Sequence, residues 1–439
     1  MSLHDGEREA RMNMEYALPA DIKAFQEKKL AELLRFLNQN SIYYKRLFQE
    51  RAIDITTIAS LEDLTRIPVT TKDAIQRAND QFICVGREKI IDYVTTSGTL
   101  GDPVIFPLTD KDLDRLAYNE YLSLRCTQEP GVHELYQLTT TLDRRFMAGM
   151  AYFLGARKSR SGIVRVGPGI PELQWDTIFK VRSTALIAVP SFLLAMIDYA
   201  EKNGIDYRNS TIKKAICIGE SIRNPDFSLN TLGKKITDRW PIALFSTYAS
   251  TEMVSAFTEC QAGRGGHHQP ELIITEFLDD NDQPVEPGMP GELTITTLGL
   301  EGMPLLRFKT GDICAPDYGP CACGRNTMRL GPIIGRKKQM IKYRGTTLYP
   351  PALYDILDNT PGVINYVVEV FSNEIGTDEI LIKVGVKEAS EKFEKHIKDH
   401  FRAKLRVAPG VQFCTPDEIR TLQFPEMSRK AVKFFDHRS

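Results

Sequence analysis

The segment from Ala185 to Ile218 constrains the fold more than any other part of the chain. Ala185–Val189 is a short, wholly apolar run. Pro190 and Ser191 interrupt it, Phe192–Lys202 has the spacing of an amphipathic helix, and Ala215–Ile218 is a second apolar run. Apolar runs without alternation, joined by a helix, belong to parallel strands covered on both faces, so an α/β sheet is expected. The longest apolar stretch, Ala185–Ile197, is broken by the same Pro190 and Ser191 and is too short to cross a bilayer as a helix.

Other segments read in the same way. Ile22, Phe25, Leu30, Leu33, Leu34 and Leu37 recur at helical spacing and predict helix over 20–50. Thr109–Asp110 is a start signal for a helix over 111–124. Residues 272–277 and 292–297 alternate as strands do and mark a β-rich subregion. After Gly345 the pattern becomes strand (363–371), strand (379–386), helix (391–405), the last with Phe393, Ile397, Phe401 and Leu405 on one face. That order suits a small α+β domain of about 100 residues. A boundary at Arg336–Lys338 gives an N-terminal domain 1–337 and a C-terminal domain 338–439. Lys and Arg total 56 against 57 Asp and Glu, for a net charge of −1. A protein gripping nucleic acid by its phosphates carries a basic excess, so neither nucleic acid nor membrane is an expected partner. The N-terminus is polar, without the apolar core of a signal peptide, and the eight cysteines are too sparse for a disulfide scaffold. A cytoplasmic location is expected.

Several segments carry chemistry. Thr95-Thr96-Ser97-Gly98-Thr99-Leu100-Gly101-Asp102-Pro103 follows a strand-like Ile90–Val94. Its glycines allow close backbone approach to an anion, and its hydroxyls and amides can cradle phosphate. No Gly-Lys-Ser/Thr follows, so it is not a Walker A loop. A plain strand-to-strand turn remains the alternative. Tyr248-Ala249-Ser250-Thr251-Glu252 follows the apolar run Ile242–Phe245. Arg307–Asp312, Gly335–Gly345 and Ser428-Arg429-Lys430-Ala431 come later. Cys260 and His267, six residues apart across a Gly-rich spacer, and Cys321-Ala-Cys323 form two ligand pairs, enough for a closed tetrahedral zinc site. His268 and Cys314 are rival ligands, and buried thiols with a surface imidazole are the alternative.

This ordered set resembles the acyl-adenylate-forming (AMP-binding) superfamily, and within it the phenylacetate–CoA ligases. The closer resemblance rests on Asn40-Ser41-Ile42-Tyr43-Tyr44, Val189-Pro190-Ser191-Phe192, Cys321-Ala322-Cys323-Gly324-Arg325 and the ending Lys430–Arg438. It runs from about residue 35 to the end. It implies an α/β fold: a large N-terminal adenylate-forming domain, with packed sheets and helices and a β-rich subregion, and a small mobile α+β C-terminal lid. The implied activity is an ATP- and Mg²⁺-dependent, AMP-forming ligation of a carboxylic acid, aromatic in character, to coenzyme A through an acyl-adenylate. Thr96, Ser97, Gly98, Thr99 and Gly101 would hold ATP phosphates, and Gly219, Glu220 and Ser221 the adenine edge. Tyr248, followed by Ala249 and Ser250, would stack on adenine. Thr251 would bond the α-phosphate and Glu252 hold Mg²⁺. Asp312 would accept from the ribose hydroxyls, and Arg336 would contact the nucleotide. Lys430 would stabilise charge during adenylation. Gly345 would line the thiol path after rotation about Lys338. Some relatives keep the Cys-x6-His and Cys-x-Cys elements, which adds to the reading of Cys260, His267, Cys321 and Cys323 as a structural zinc site. A homodimer is compatible with the resemblance.

The main departure is Thr139–Met147, where that family is rich in Gly and Phe. Here Arg144 and Arg145 could pair with a second acidic group on the substrate, or form a surface pair beside Asp143. Two other functions stay open. One is an adenylating enzyme that passes the acyl group to an amine or a carrier-protein thiol. The other is a non-catalytic nucleotide- or zinc-binding homologue.

Overall fold

The computed structural model describes residues 14–96, 104–128, 131–343, 346–372, 378–425 and 431–438. The chain divides into two compact units, residues 1–310 with 314–332, and residues 311–313 with 333–439.

In the first unit the helical spacing over 20–50 forms two helices rather than one, α1 (Pro19–Asn40) and α2 (Ile42–Glu50). Ser41 separates them. Its backbone is extended, and its hydroxyl accepts from the Tyr44 amide at 3.3 Å as the N-cap of α2. The buried Tyr44 hydroxyl accepts from the Leu306 amide at 2.9 Å, so part of the Asn40–Tyr44 motif is architectural. A short helix α3 (Lys72–Arg77) precedes the antiparallel hairpin of β1 (Ile90–Thr95) and β2 (Ile105–Thr109). Thr109 then forms a capping box with Asp112 at the start of α4 (Asp110–Thr127).

Strands and helices now alternate: β3 (Leu135–Leu138), α5 (Met147–Ser159), β4 (Gly162–Arg165), α6 (Pro171–Val181), β5 (Ala185–Ala188), α7 (Pro190–Lys202), β6 (Lys214–Ile218), α8 (Thr231–Thr237) and β7 (Ala243–Ser250). The neighbours β4-β3-β5-β6-β7 are all parallel. Both β5 and β6 are buried along their whole length, which is why their sequences do not alternate. Trp175 and Trp240 anchor the adjoining core, and Trp175 Nε1 donates to the Met196 carbonyl at 2.9 Å. Lys214 is the charged exception in β6. Its ammonium lies 2.7 Å from Glu134 and donates to the Thr127 carbonyl, so loss of either side chain of the buried ion pair would cost about 3–5 kcal/mol.

Beyond β7 the sheet turns antiparallel through β8 (Ser255–Glu259) and β9 (Gly266–His267). The β-rich layer follows as β10 (Ile273–Leu278), β11 (Gly291–Thr297) and β12 (Phe308–Cys314). Then β13 (Pro316–Asp317) and β14 (Arg329–Leu330) complete the nine-stranded sheet beyond β9. Among the described residues no helix is long and apolar enough to cross a membrane.

The second unit contains β15 (Gly335–Arg336), β16 (Ile341–Tyr343), β17 (Thr346–Leu348), α9 (Pro350–Asp358), β18 (Asn365–Ser372), β19 (Asp378–Gly385), α10 (Glu391–Leu405), β20 (Gly410–Cys414), α11 (Pro416–Gln423) and β21 (Phe434–Asp436). Its sheet has the order β20-β19-β18-β21 and buries one core with Ile397 and Phe401 of α10. The chain end is tied down by Arg438, which pairs with Asp378 at 2.9 Å and donates to the Met340 carbonyl at 2.7 Å.

One buried acid makes stability depend on pH. Glu120 on α4 is fully enclosed where α4 meets Gly155 of α5, and its Oε2 lacks a partner. Burial pushes its carboxyl up to about 8, against a weaker lowering by Asn119 and Ser123. The folded state therefore holds a proton that the unfolded state releases above its ordinary pKa. The associated stability is complete below about pH 4.5 and is lost as pH rises towards 8. The Glu120→Gln variant should match wild type near pH 4.5 and exceed it by an amount growing at about 1.4 kcal/mol per pH unit, as read by urea unfolding. A pH-independent difference would show that Glu120 does not titrate in this window.

Candidate active site and candidate metal centre

Because β3, β5, β6 and β7 run parallel, the loops leaving their C-terminal ends open on one edge of the sheet. The strand order reverses at β3, with β4 on one flank and β5 on the other. Ligands bind outside the carboxyl ends of strands at such a switch point. Four loops gather on that edge: 139–146 after β3, Val189–Ser191 after β5, Gly219–Ser221 after β6 and Thr251–Val254 after β7.

Gly219 turns the chain with φ of 77°, which a side chain would strain. Glu220 accepts from the Ser191 amide at 2.8 Å and the Ser191 hydroxyl at 2.9 Å. Its carboxylate sits at the N-terminus of α7, where the helix dipole stabilises it and two loops are joined. Ser221 donates to the Arg223 carbonyl at 3.1 Å. Arg223 in turn grips the buried Glu259 at 3.0 Å, and Glu259 accepts from the Ser246 amide at 3.0 Å, so the loop is tied back to β7 and β8.

On β7, Tyr248 is half-buried against Phe257 with ring centroids 6.2 Å apart, and Ala249 is exposed. The Ser250 hydroxyl accepts from the Met253 amide at 3.4 Å. Thr251 and Glu252 lie in the turn between antiparallel β7 and β8. Lys72, at the start of α3, lies 3.8 Å from Glu252 Oε1. Nothing in the sequence pointed to Lys72, because Thr71-Lys72 reads as an ordinary helix start.

Arg115 holds this turn from below, another residue that sequence reasoning missed. Its Nη1 donates to the Val254 carbonyl (2.6 Å), Nε to Leu298 (2.6 Å) and Nη2 to Leu272 (2.5 Å). Val254 itself has a left-handed backbone with φ of 47°. The Arg115→Met variant should lose about 3 kcal/mol of stability or more, because buried carbonyls are left unsatisfied. It should also lose the pyrophosphate exchange that the resemblance implies, at temperatures where it remains folded. Lost stability with intact activity would show that the turn keeps its position without Arg115.

Thr96 closes the base of the hydroxyl-rich loop. Its amide donates to the Val104 carbonyl (3.1 Å) and its hydroxyl accepts from the Val104 amide (3.1 Å). The preceding Thr95 amide donates to the Arg145 carbonyl at 3.0 Å. Ser97, Gly98, Thr99 and Gly101 lie outside the described residues, as do Gly345 and Lys430. In the second unit Asp312 of β12 stands opposite Arg336 of β15, with Nε 3.1 Å from Oδ1. The structure thus pairs two predicted nucleotide contacts.

The four predicted metal ligands converge. Cys260 Sγ, His267 Nε2, Cys321 Sγ and Cys323 Sγ offer atoms that all lie within 4.8 Å of one another. Cys260 and Cys321 are 3.6 Å apart, and Cys323 is 3.3 Å from His267. Ligand atoms around a tetrahedral ion bound at about 2.3 Å stand about 3.8 Å apart, so the donor set and its spacing suit zinc. Burial lowers His267 to about 3, aided by Arg325 and Arg329, which keeps the imidazole neutral. Its Nδ1 is 3.0 Å from the Thr327 hydroxyl, the kind of partner that orients a metal-binding histidine. Burial pushes the Cys260 thiol up to about 12. For Cys323, burial works upward, but contacts with Arg325, Cys321 and Cys260 together outweigh it and hold the thiol below its usual value. The rivals lie elsewhere: His268 is bonded through Nε2 to the Ile273 carbonyl, and Cys314 is buried in β12. Cys260 follows the far end of β8 from the Thr251–Val254 turn, so a five-residue strand, about 17 Å, separates this centre from Glu252.

Residues 345–438 match the AMP-binding enzyme C-terminal domain. A phenylacetate–coenzyme A ligase of Thermus thermophilus is 29% identical over 375 residues, covering 84% of this chain and 82% of that protein. One from Escherichia coli is 25% identical over 445 residues, covering 97% of both. A solved 2-hydroxyisobutyryl-CoA ligase in complex with 2-HIB-AMP superposes with a TM-score of 0.83 at 21% identity, over 97% of this chain and 91% of that one. At such identity the structural likeness speaks for the fold, while the sequence matches speak for kinship along most of the chain. Residues 345–438 thus carry the AMP-binding enzyme C-terminal domain pattern, and along most of its length the chain is similar to phenylacetate–coenzyme A ligases.

Proposed function

We propose that the protein is an AMP-forming acid–coenzyme A ligase. The observation that carries the reading is the gathering of Gly219–Ser221 and Tyr248–Glu252 on one edge of the parallel sheet, in a chain whose curated relatives are phenylacetate–coenzyme A ligases along most of its length. The acid carboxylate attacks the α-phosphorus of ATP and pyrophosphate leaves. The coenzyme A thiol then attacks the acyl carbon, loses its proton, and displaces AMP.

Within this reading the Gly219–Ser221 loop borders the adenine, Tyr248 stacks on it, and Asp312 with Arg336 serves the ribose and phosphates. Thr251 bonds the α-phosphate. Glu252 would offer an oxygen ligand to Mg²⁺, which would supply charge neutralisation for the phosphates. Lys72 places a cation beside that carboxylate. The loop Thr96–Gly101 holds the phosphates, Lys430 acts in adenylation, and Gly345 lines the thiol path after the C-terminal domain 338–439 turns about Lys338. Cys260, His267, Cys321 and Cys323 hold a structural zinc, since four protein ligands leave no open position. The acid is small and aromatic, the enzyme cytoplasmic.

ATP–pyrophosphate exchange with a panel of carboxylic acids, with and without coenzyme A, tests the reading. Exchange with one acid, and acyl-CoA on adding coenzyme A, is the expected result. Exchange that never yields acyl-CoA would redirect the search to an amine or carrier-protein acceptor. Tight ATP binding without exchange would sink the ligase reading.

A further inference from the structure

We propose that a cleft beside β1 receives the far end of the acid substrate, and that Arg145 selects acids bearing a second carboxylate there. The inference rests on the ligase reading and deepens it by naming the substrate class.

Place is the first ground. The segment 139–146 leaves β3 at the switch point, and the Arg145 carbonyl accepts from the Thr95 amide at 3.0 Å. Arg145 therefore lies against the strand that leads into the hydroxyl-rich loop. Shape is the second. A cleft of about 370 Å³ is lined by Val94, Leu113, Leu142, Phe146 and Met150 together with Arg145. That volume falls within the range of about 300–1,000 Å³ typical of small-molecule sites, and largely apolar walls with a few polar or charged groups, here Arg145 and Asp92, are their usual composition.

Charge is the third. Among the described residues no hydrogen bond or ion pair engages the Arg145 guanidinium. The neighbouring Asp143 is instead bonded by the Thr141 hydroxyl, so no ion pair forms between Asp143 and Arg145. A guanidinium presents a planar fork that matches a carboxylate in two parallel bonds. Backbone geometry is the fourth. Arg144 and Arg145 both have φ of 57°, two consecutive non-glycine residues in the left-handed region, a strain that clusters at ligand clamps. The other charged lining residue, Asp92, opposes an anion, although its Oδ1 accepts from the Tyr93 amide at 2.8 Å.

Two pairs of acids that differ only in the second carboxylate give the test: phenylacetate with 4-carboxyphenylacetate, and hexanoate with adipate. Wild type should favour the diacid in at least one pair by about tenfold in exchange kcat/KM, the scale of a charge-assisted bond. Arg145→Gln should bring the diacid-to-monoacid ratio close to unity, and Asp92→Asn should raise it. A ratio that Arg145→Gln leaves unchanged, or a change confined to the KM for coenzyme A, would overturn the inference while leaving the ligase reading intact. If no acid supports exchange, the ligase reading fails, and calorimetric titration of the same acids decides this inference separately. Tighter diacid binding to wild type than to Arg145→Gln would support the Arg145 site. Equal affinities would refute it.

Discussion

Stripping metal from the Cys260, His267, Cys321 and Cys323 cluster is expected to lower the unfolding temperature by about 10 °C or more. A structural zinc contributes on the order of 10 kcal/mol of folding free energy, and each kcal/mol moves the midpoint of a unit of roughly 330 residues by about 1.5 °C. Without the ion, the cluster is three thiols and an imidazole packed at van der Waals distance, with no charge to hold the Gly-rich loop before His267 against the knuckle at Cys321. Cys321→Ser should reproduce the loss and lower the metal content measured by plasma mass spectrometry. The KM for ATP should move little at temperatures where the chelated protein stays folded, because the length of β8 lies between the centre and Glu252. Metal-free protein as stable as the native preparation would remove zinc from the account.

Replacing Lys430 with Ala is expected to reduce ATP–pyrophosphate exchange by about 10²–10³-fold, the usual effect of removing one group that stabilises transition-state charge. Thioester formation from a preformed acyl-adenylate should survive, because in that half-reaction the phosphate is already esterified and AMP is the leaving group. Arg at this position keeps the charge but not its compact point geometry, so it should restore exchange only in part. Equal loss of both half-reactions would refute the assigned role.

Local chemistry made much of the architecture legible. The apolar runs Ala185–Val189 and Ala215–Ile218 fall on the strands Ala185–Ala188 and Lys214–Ile218, both buried along their whole length. Thr109 announced a helix that the structure caps with Asp112. The period-4 spacing from Phe393 to Leu405 lies on the helix Glu391–Leu405. The break at Ser41 escaped because apolar spacing continues across it, whereas the N-cap acts through one hydroxyl and one amide. The candidate ligands Cys260, His267, Cys321 and Cys323 could be read as two pairs from their spacing, but that His268 and Cys314 stand apart from the cluster needed coordinates. Both rivals are as close in sequence as the clustered residues, and their packing in the fold separates them.

The sequence by itself determined the alternation of strands and helices, a small C-terminal α+β unit and a motif order that resembles the adenylate-forming enzymes. Each of those depends on residues near one another along the chain. Only the tertiary structure decided that Glu220 locks onto Ser191, that Arg115 holds the turn bearing Glu252, that Lys72 faces that carboxylate, and that Arg145 borders an apolar cleft. Those contacts join residues up to 180 positions apart (Lys72 to Glu252). They exist because parallel strands deliver distant loops to one edge, a consequence of sheet order that local spacing does not encode.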